Sequence, residues 1–369
     1  MSGVRTKFSG TPVKEASVEQ IHKELQKLRN ERRDVNLKGF LKDTWGEDMT
    51  PGKFYAELGL DMHGMTVGKM LNTQNEQSRW LFPEIIRDAI IRGLEYTPMY
   101  ASLVAAAETI DGNGMTMPFM DWTDIDRDEV RLRDTNEGAT ITEGEIVTWD
   151  QKQVTIGKKA RGIMQTYESI MWTPIDLAAI FFEELGTQLG ADLDRELIEV
   201  ALNGDQDNGS EAAPVIGVAT ANTLLYTDLV RAWIRFRRIG RNSSVMLTNE
   251  VEAITILNME EFQKTIPTPA TSPSGITLNV ANPLPTSQDI LVHDAIPSKK
   301  IILVDKARAF IQLTGMPLLI ESEKIVRRQI TGEWVSIITG FANIFKDGRM
   351  VIDYATNLTT NPGPTPPSI

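Results

Sequence analysis

Cysteine is absent from the 369-residue chain, which excludes disulfides, thiolate metal sites and cysteine nucleophiles. Histidine is scarce. The three copies, His22, His63 and His293, stand isolated, and no HExxH, GxSxG or paired-histidine pattern occurs. Hydrolase and metal chemistry have few candidate bases to stand on, so a protein without catalysis or cofactor is expected. No apolar run reaches the roughly eighteen residues of a membrane helix. The opening stretch MSGVRTKFSGTPVKE lacks the apolar centre of a signal peptide. A soluble intracellular product with no membrane contact is expected. Positive charge is in deficit too: a net charge of -12 argues against general affinity for nucleic-acid phosphates and leaves room only for a local basic patch.

What is present begins with one long helix, Thr173 to Gly204. Thr173 offers an N-cap hydroxyl, Pro174 suits the first helical position, and Asn203-Gly204 supplies a left-handed stop. Between them Leu177, Phe181, Leu185, Leu189, Leu193 and Leu197 recur every fourth residue. Four residues overshoot one helical turn by about 40°, so this row winds slowly around the helix and can meet different partners along its length. Gly186 and Gly190 each cost about 1 kcal/mol against alanine, which suggests a second backbone crossing close by. By shape alone the helix suits the core of an ordinary α/β domain.

Length alone predicts two or three domains. Residues 1–75 hold a charged, weakly amphipathic helix over Glu15 to Arg33 (Val18, Ile21, Leu25, Leu28) and a polar, glycine-punctuated stretch. Apolar residues there are too sparse to offset the entropy of ordering it alone, so the segment reads as an arm that needs a surface outside itself. Next, Pro83 is placed at the start of a helix with Ile86, Ile90 and Leu94 on one face, and MTMPFMDW alternates like a strand. Residues 123–161 read as a long two-stranded hairpin, with Val147, Trp149, Val154 and Ile156 alternating in its return limb. An isolated ribbon of this kind is marginal in water and also calls for a partner surface. Helices over Tyr226 to Ile239 and Glu250 to Gln263 flank a strand, SSVMLT. Residues 265–288 are rich in Pro, Ser and Thr and read as a surface loop. DILVH, KIILVD and AFIQLT are buried-strand candidates. Asp347-Gly348 marks a hairpin joining TGFANIF to MVIDY before an extended or disordered tail, NPGPTPPSI.

GMTVGKM at 64–70 is one residue short of a phosphate loop and ends in Met where a magnesium-binding hydroxyl is needed. DQDNGSE at 205–211 lacks the glutamate that closes a calcium loop. Arg231, Arg235 and Arg238 share one helix face, with Arg237 and Arg241 beside it. That face fits an anionic ligand, a subunit contact, or a solvated surface paired to local acids.

The succession RWLFPEII, long hairpin, long helix ending in LNGD, PVIGV entry, helix with SSVMLT and closing hairpin resembles the major capsid protein of tailed bacteriophages, the Hong Kong 97 fold, over about residues 79–356. The resemblance implies an α+β fold: an N-terminal arm (1–75), a peripheral domain in three parts (76–122, 162–222 with the long helix as spine, 320–360), an extended loop (123–161), an axial domain (223–319) and a flexible tail (361–369). It implies pentamers and hexamers in an icosahedral shell around packaged double-stranded DNA, bound on the inner face without sequence specificity. Portal, scaffold and decoration proteins are implied partners, and the virion capsid, assembled in the bacterial host cytoplasm, is the implied location. Trp149, Lys152, Val154 and Ile156 in the hairpin and Arg231, Arg235 and Arg238 are then the expected subunit contacts. Residues 264–288 show no close match to the family pattern. Lys152, Lys158, Lys159, Asn343 and Asn357 do not map onto the Lys-Asn isopeptide bond of the type member, so non-covalent lacing is expected. An encapsulin-like compartment with an enzyme cargo shares the fold, and a soluble α/β enzyme or ligand-binding module is the reading from another class.

Overall fold

The computed structural model describes residues 18–30, 37–46, 48–58, 66–67, 76–96, 98–112, 114–118, 134–141, 151–205, 212–263 and 288–364. They form an α+β fold that divides into two compact units. The first takes Met1–Pro98, Ile156–Leu193 and Thr314–Thr339; the second takes Met99–Thr155, Asp194–Leu313 and Gly340–Ile369.

In the first unit, helices α1 (Val18–Asn30), α2 (Leu37–Trp45), α3 (Pro51–Glu57) and α4 (Glu76–Tyr96) precede α6 (Tyr167–Trp172) and most of α7 (Ile175–Asn203); α5 (Tyr100–Leu103) belongs to the second. The face predicted for α1 is buried: Val18, Ile21, Leu25 and Leu28 join one core with Phe40, Phe54, Ile86, Ile90 and Phe182. The surface that these N-terminal helices need is thus supplied by α4 and α7 of the same chain. His22 seals the contact through a buried hydrogen bond, 3.1 Å from Nδ1 to Glu84 Oε1. Thr50 caps α3 by accepting from Lys53 N at 3.4 Å, with Pro51 in the first turn. Pro83 does not start its helix, because α4 begins at Glu76 and runs through it.

The long helix ends where expected. Gly204 has φ +87° and its N–H returns to Val200 O at 2.9 Å. Its row of leucines winds as the 40° overshoot requires: Leu177 and Phe181 are exposed, Leu185 and Leu189 half-buried, Leu193 and Leu197 buried. The crossing backbone is α4. A Cβ on Gly186 would collide with Ile90 O, and one on Gly93 of α4 would collide with Glu183 O, so the two helices meet glycine to backbone.

Strand β10 (Ile330–Asn343) pairs antiparallel with β4 (Gly157–Thr166), from Ile330 opposite Thr166 to Thr339 opposite Gly157. These belong to a sheet of order β1-β9-β10-β4, with β1 at Val104–Thr109 and β9 at Phe310–Ile325. The three alanines of β1 favour helix by propensity, but sheet pairing overrides that preference.

The second unit is built on a five-stranded sheet of order β5-β11-β8-β6-β7: Val215–Val218, Arg349–Asn357, Lys300–Val304, Val245–Thr248 and Asp289–Val292. Met246, Leu303 and Met350 stand in one cross-strand row, and helices α8 (Tyr226–Arg238) and α9 (Glu250–Leu257) cover that face through Leu229, Ala232, Phe236 and Ile256. Two expectations need correction. DILVH does not form a buried strand, since β7 is the sheet edge and its side chains are exposed or half-exposed. Asp347-Gly348 does not make a hairpin: it lies in a 3-10 turn (Lys346–Gly348) that carries the chain from β10 into a different sheet, where β11 inserts between β5 and β8. The start of the tail is held to β5, with Gly217 N donating to Asn361 O at 2.8 Å. Residues 206–211, 264–287 and 365–369, which take in most of DQDNGSE, most of the Pro-rich loop and the tail end, lie outside the described residues.

Candidate functional site

Among the described residues no group of three or more His, Asp or Glu is placed to hold a metal ion, and no helix is long and apolar enough to cross a membrane. Of GMTVGKM only Thr66 and Val67 are described. A cavity of about 260 Å³ in the second unit, lined by Glu196, Glu199, Asp205, Val154 and Phe341 among others, falls below the usual size of a small-molecule site. His293 accepts a local hydrogen bond from Ala295 N at 3.0 Å, and His63 lies outside the described residues.

Strands β2 (Gly114–Pro118) and β3 (Gln151–Thr155) pair antiparallel, from Gly114 opposite Thr155 to Pro118 opposite Gln151, on either side of the segment expected as the hairpin. Lys152 stands opposite Met117 in that register. Trp149 lies outside the described residues. Val154 and Ile156 are only 3% and 6% exposed, so their own chain covers them and they leave little area for a neighbour. Alternation placed them on an apolar face, and that face is covered within the fold. Asn343 is buried. Asn357 Oδ1 accepts from Thr360 N at 2.9 Å in a local turn, while Lys158 is exposed and Lys159 half-buried on β4.

The arginine face divides. Arg231 is held by its own helix, its Nη1 donating to Asp228 Oδ1 at 2.6 Å. Asp228 is itself fixed by Ala219 N at 3.0 Å and Leu225 N at 3.3 Å, a capping arrangement at the start of α8. Arg241 is buried, paired with Asp347 at 2.5 Å and stacked 4.7 Å over the Phe345 ring. Arg235 is half-buried and Arg238 exposed. They share the outward stripe with Ile234, which is 45% exposed.

Two apolar surfaces were not singled out from the sequence. On α7, Leu177, Ile180 and Phe181 share one face at helical spacing and are 45%, 61% and 64% exposed; Trp172, just ahead, is 81% exposed. On α9, Val251, Ile254 and Leu257 are each more than half exposed, although Ala253 and Ile256 on the opposite side are buried. The signal for α9 was in the sequence: EVEAITIL is apolar nearly all round, yet a helix lying on a sheet can bury only one side.

Two buried groups brace the second unit. Asp194 accepts from Tyr100 N at 2.7 Å and Met99 N at 3.1 Å, and burial pushes its carboxyl above the ordinary carboxylate range against the effect of those two bonds. Arg349, fully buried on β11, donates from Nε to Ala201 O at 2.7 Å near the C-terminus of α7, and desolvation lowers its guanidinium to about 10 despite the nearby Asp205.

No model of a known protein family matches the chain, and no curated protein matches it. Solved structures do. The capsid of the native GTA particle is 12% identical over 70% of this chain and 92% of that one, with a TM-score of 0.51. The virus-like particle from Pyrococcus furiosus is 12% identical over 73% and 98%, with a TM-score of 0.48. The mature capsid of bacteriophage PhiM1 is 10% identical over 70% and 87%, also at 0.48. At this identity the likeness to the GTA capsid is one of fold, and the chain has the α+β fold of a capsid protein.

Proposed function

We propose that the chain is a capsid subunit whose function is to assemble with copies of itself. The observation that carries this reading is the exposed apolar face of α7 with Trp172, on a helix whose opposite side lies in the core. Covering a large apolar side chain contributes about 1.5–3 kcal/mol. A cluster of several exposed together marks an interaction surface, whereas single exposed residues are ordinary. The fold shared with the GTA capsid supports the same reading.

In finer terms, the subunits form pentamers and hexamers of a Hong Kong 97-type icosahedral shell around packaged double-stranded DNA. Residues 123–161 serve as the extended loop and 223–319 as the axial domain. Association is non-covalent, with scaffold, portal and decoration proteins as further partners, in a virion assembled in the host cytoplasm. Arg235 and Arg238 face a neighbouring subunit; Arg231, already paired, contributes less.

Sedimentation of the purified chain, alongside Phe181→Glu, tests the reading. Capsomer- or shell-sized species are expected from the wild type, with the variant folded but shifted to smaller species. A wild type that stays monomeric at high concentration overturns it, and a copurifying enzyme in place of DNA turns the reading to a cargo compartment.

A further inference from the structure

The second unit carries two unlike surfaces at opposite edges of one sheet. Helix α8 sits at the β5 edge: Asp228 is tied to Ala219 N just beyond β5, and Arg235 lies beside Gly363 and Ile216. Its outward stripe is basic, with Ile234 as its exposed apolar residue. Helix α9 packs on β7, the other edge strand. Its outward stripe, Val251, Ile254 and Leu257, is apolar, and exposed Glu250, Glu260 and Glu261 flank it. Both helices cover the same face of the sheet through the same core cluster.

We infer that the α9 edge of one copy docks on the α8 edge of the next, head to tail, and that repetition of this contact closes the second units into a ring. The inference rests on the assembly reading and adds the pair of surfaces. Three features commit the α9 surface to a second copy. Its acids match the α8 arginines in sign. Ile234 gives the basic stripe an apolar centre to meet Ile254. The two surfaces lie on opposite edges, which is the arrangement a heterologous contact needs if rotation is to generate a closed ring. A two-fold contact would instead require one self-complementary patch, and each of these stripes would set like charge against like. Edge strand β7, with Val292 half exposed, is also the kind of edge that a neighbour protects.

The test uses the full chain. Arg235→Glu with Arg238→Glu is one variant; Glu250→Arg, Glu260→Arg and Glu261→Arg is the second; the third combines both sets. Each of the first two is expected to lose ring-sized species in sedimentation while keeping wild-type circular dichroism, and the combined variant to regain them. Because the chain has no cysteine, a second measurement is clean: Ile254→Cys with Arg238→Cys, treated with a short bis-maleimide, should give a ladder of covalent oligomers, whereas either cysteine alone gives none. Wild-type assembly by both reversal variants, or no regain in the combined one, overturns the head-to-tail contact while leaving the capsid reading intact. Covalent dimers from Ile254→Cys alone also overturn it, in favour of a two-fold contact. A wild type that never assembles overturns both.

Discussion

Substituting Gly186 by alanine sets two effects against each other at one atom. In a helix interior, alanine is favoured over glycine by about 1 kcal/mol. At Gly186, however, the new Cβ would drive into Ile90 O, with Leu94 N only 2.9 Å away; these are backbone atoms of α4 and cannot swing aside as a side chain would. The helices must separate, and overpacking of this kind costs about 1–3 kcal/mol. Gly190, one turn on, provides the control: its Cβ would meet Leu94 O at 3.6 Å, an ordinary contact. The propensity gain is common to both sites, so the difference between the two variants isolates the packing cost. Gly190→Ala should stabilise by about 1 kcal/mol, and Gly186→Ala should be less stable than Gly190→Ala by about 1–3 kcal/mol. Gly93→Ala, which meets Glu183 O from the other helix, should behave like Gly186→Ala. Urea unfolding followed by circular dichroism, at matched protein concentration so that assembly does not shift the midpoints, measures all three. Equal midpoints for the two α7 variants would refute the close crossing.

Removing Asp194 with alanine orphans the N–H groups of Met99 and Tyr100 and should cost about 1–3 kcal/mol in unfolding, while Asp194→Asn, which keeps an acceptor, should cost less. Arg349→Met withdraws the donor to Ala201 O and the charge near Asp205; loss of a partner to a buried charge costs about 3–5 kcal/mol, so a large drop in melting temperature is expected, and a neutral result would contradict its bracing role. Tyr354 donates to Glu252 Oε1 at 2.8 Å, and burial first, then that carboxylate, raises its hydroxyl to about 12. Its folded value is above the ordinary one, so its contribution is fully present below about pH 10 and is lost as pH rises through about 12; ultraviolet titration should show Tyr354 and the buried Tyr55 ionising late, and Glu252→Gln should lower the Tyr354 step alone.

The residues that announced themselves in the sequence were those whose local and tertiary demands agree. The fourfold leucine row of α7 carried its own winding, and Gly186 pointed to the crossing backbone before α4 was known to supply it. Asn203-Gly204 stopped the helix because only the left-handed conformation is needed there. Where the two demands conflict, local composition is a poor guide. Val104–Thr109 has the composition of a helix and the pairing of a strand. Asp347-Gly348 has hairpin chemistry, but Arg349 and the apolar residues after it are drawn into a different sheet from β10. Val154 and Ile156 alternate correctly, yet alternation does not say which chain covers the apolar side. Exposure of Phe181 depends on where neighbouring elements stop, which no single segment encodes, whereas that of Ile254 follows from a helix apolar nearly all round.

Electron microscopy of the purified wild-type chain tests the central claim most directly. The account predicts closed shells, or rings with five- or six-fold symmetry. A field of single subunits at concentrations well above micromolar would contradict it.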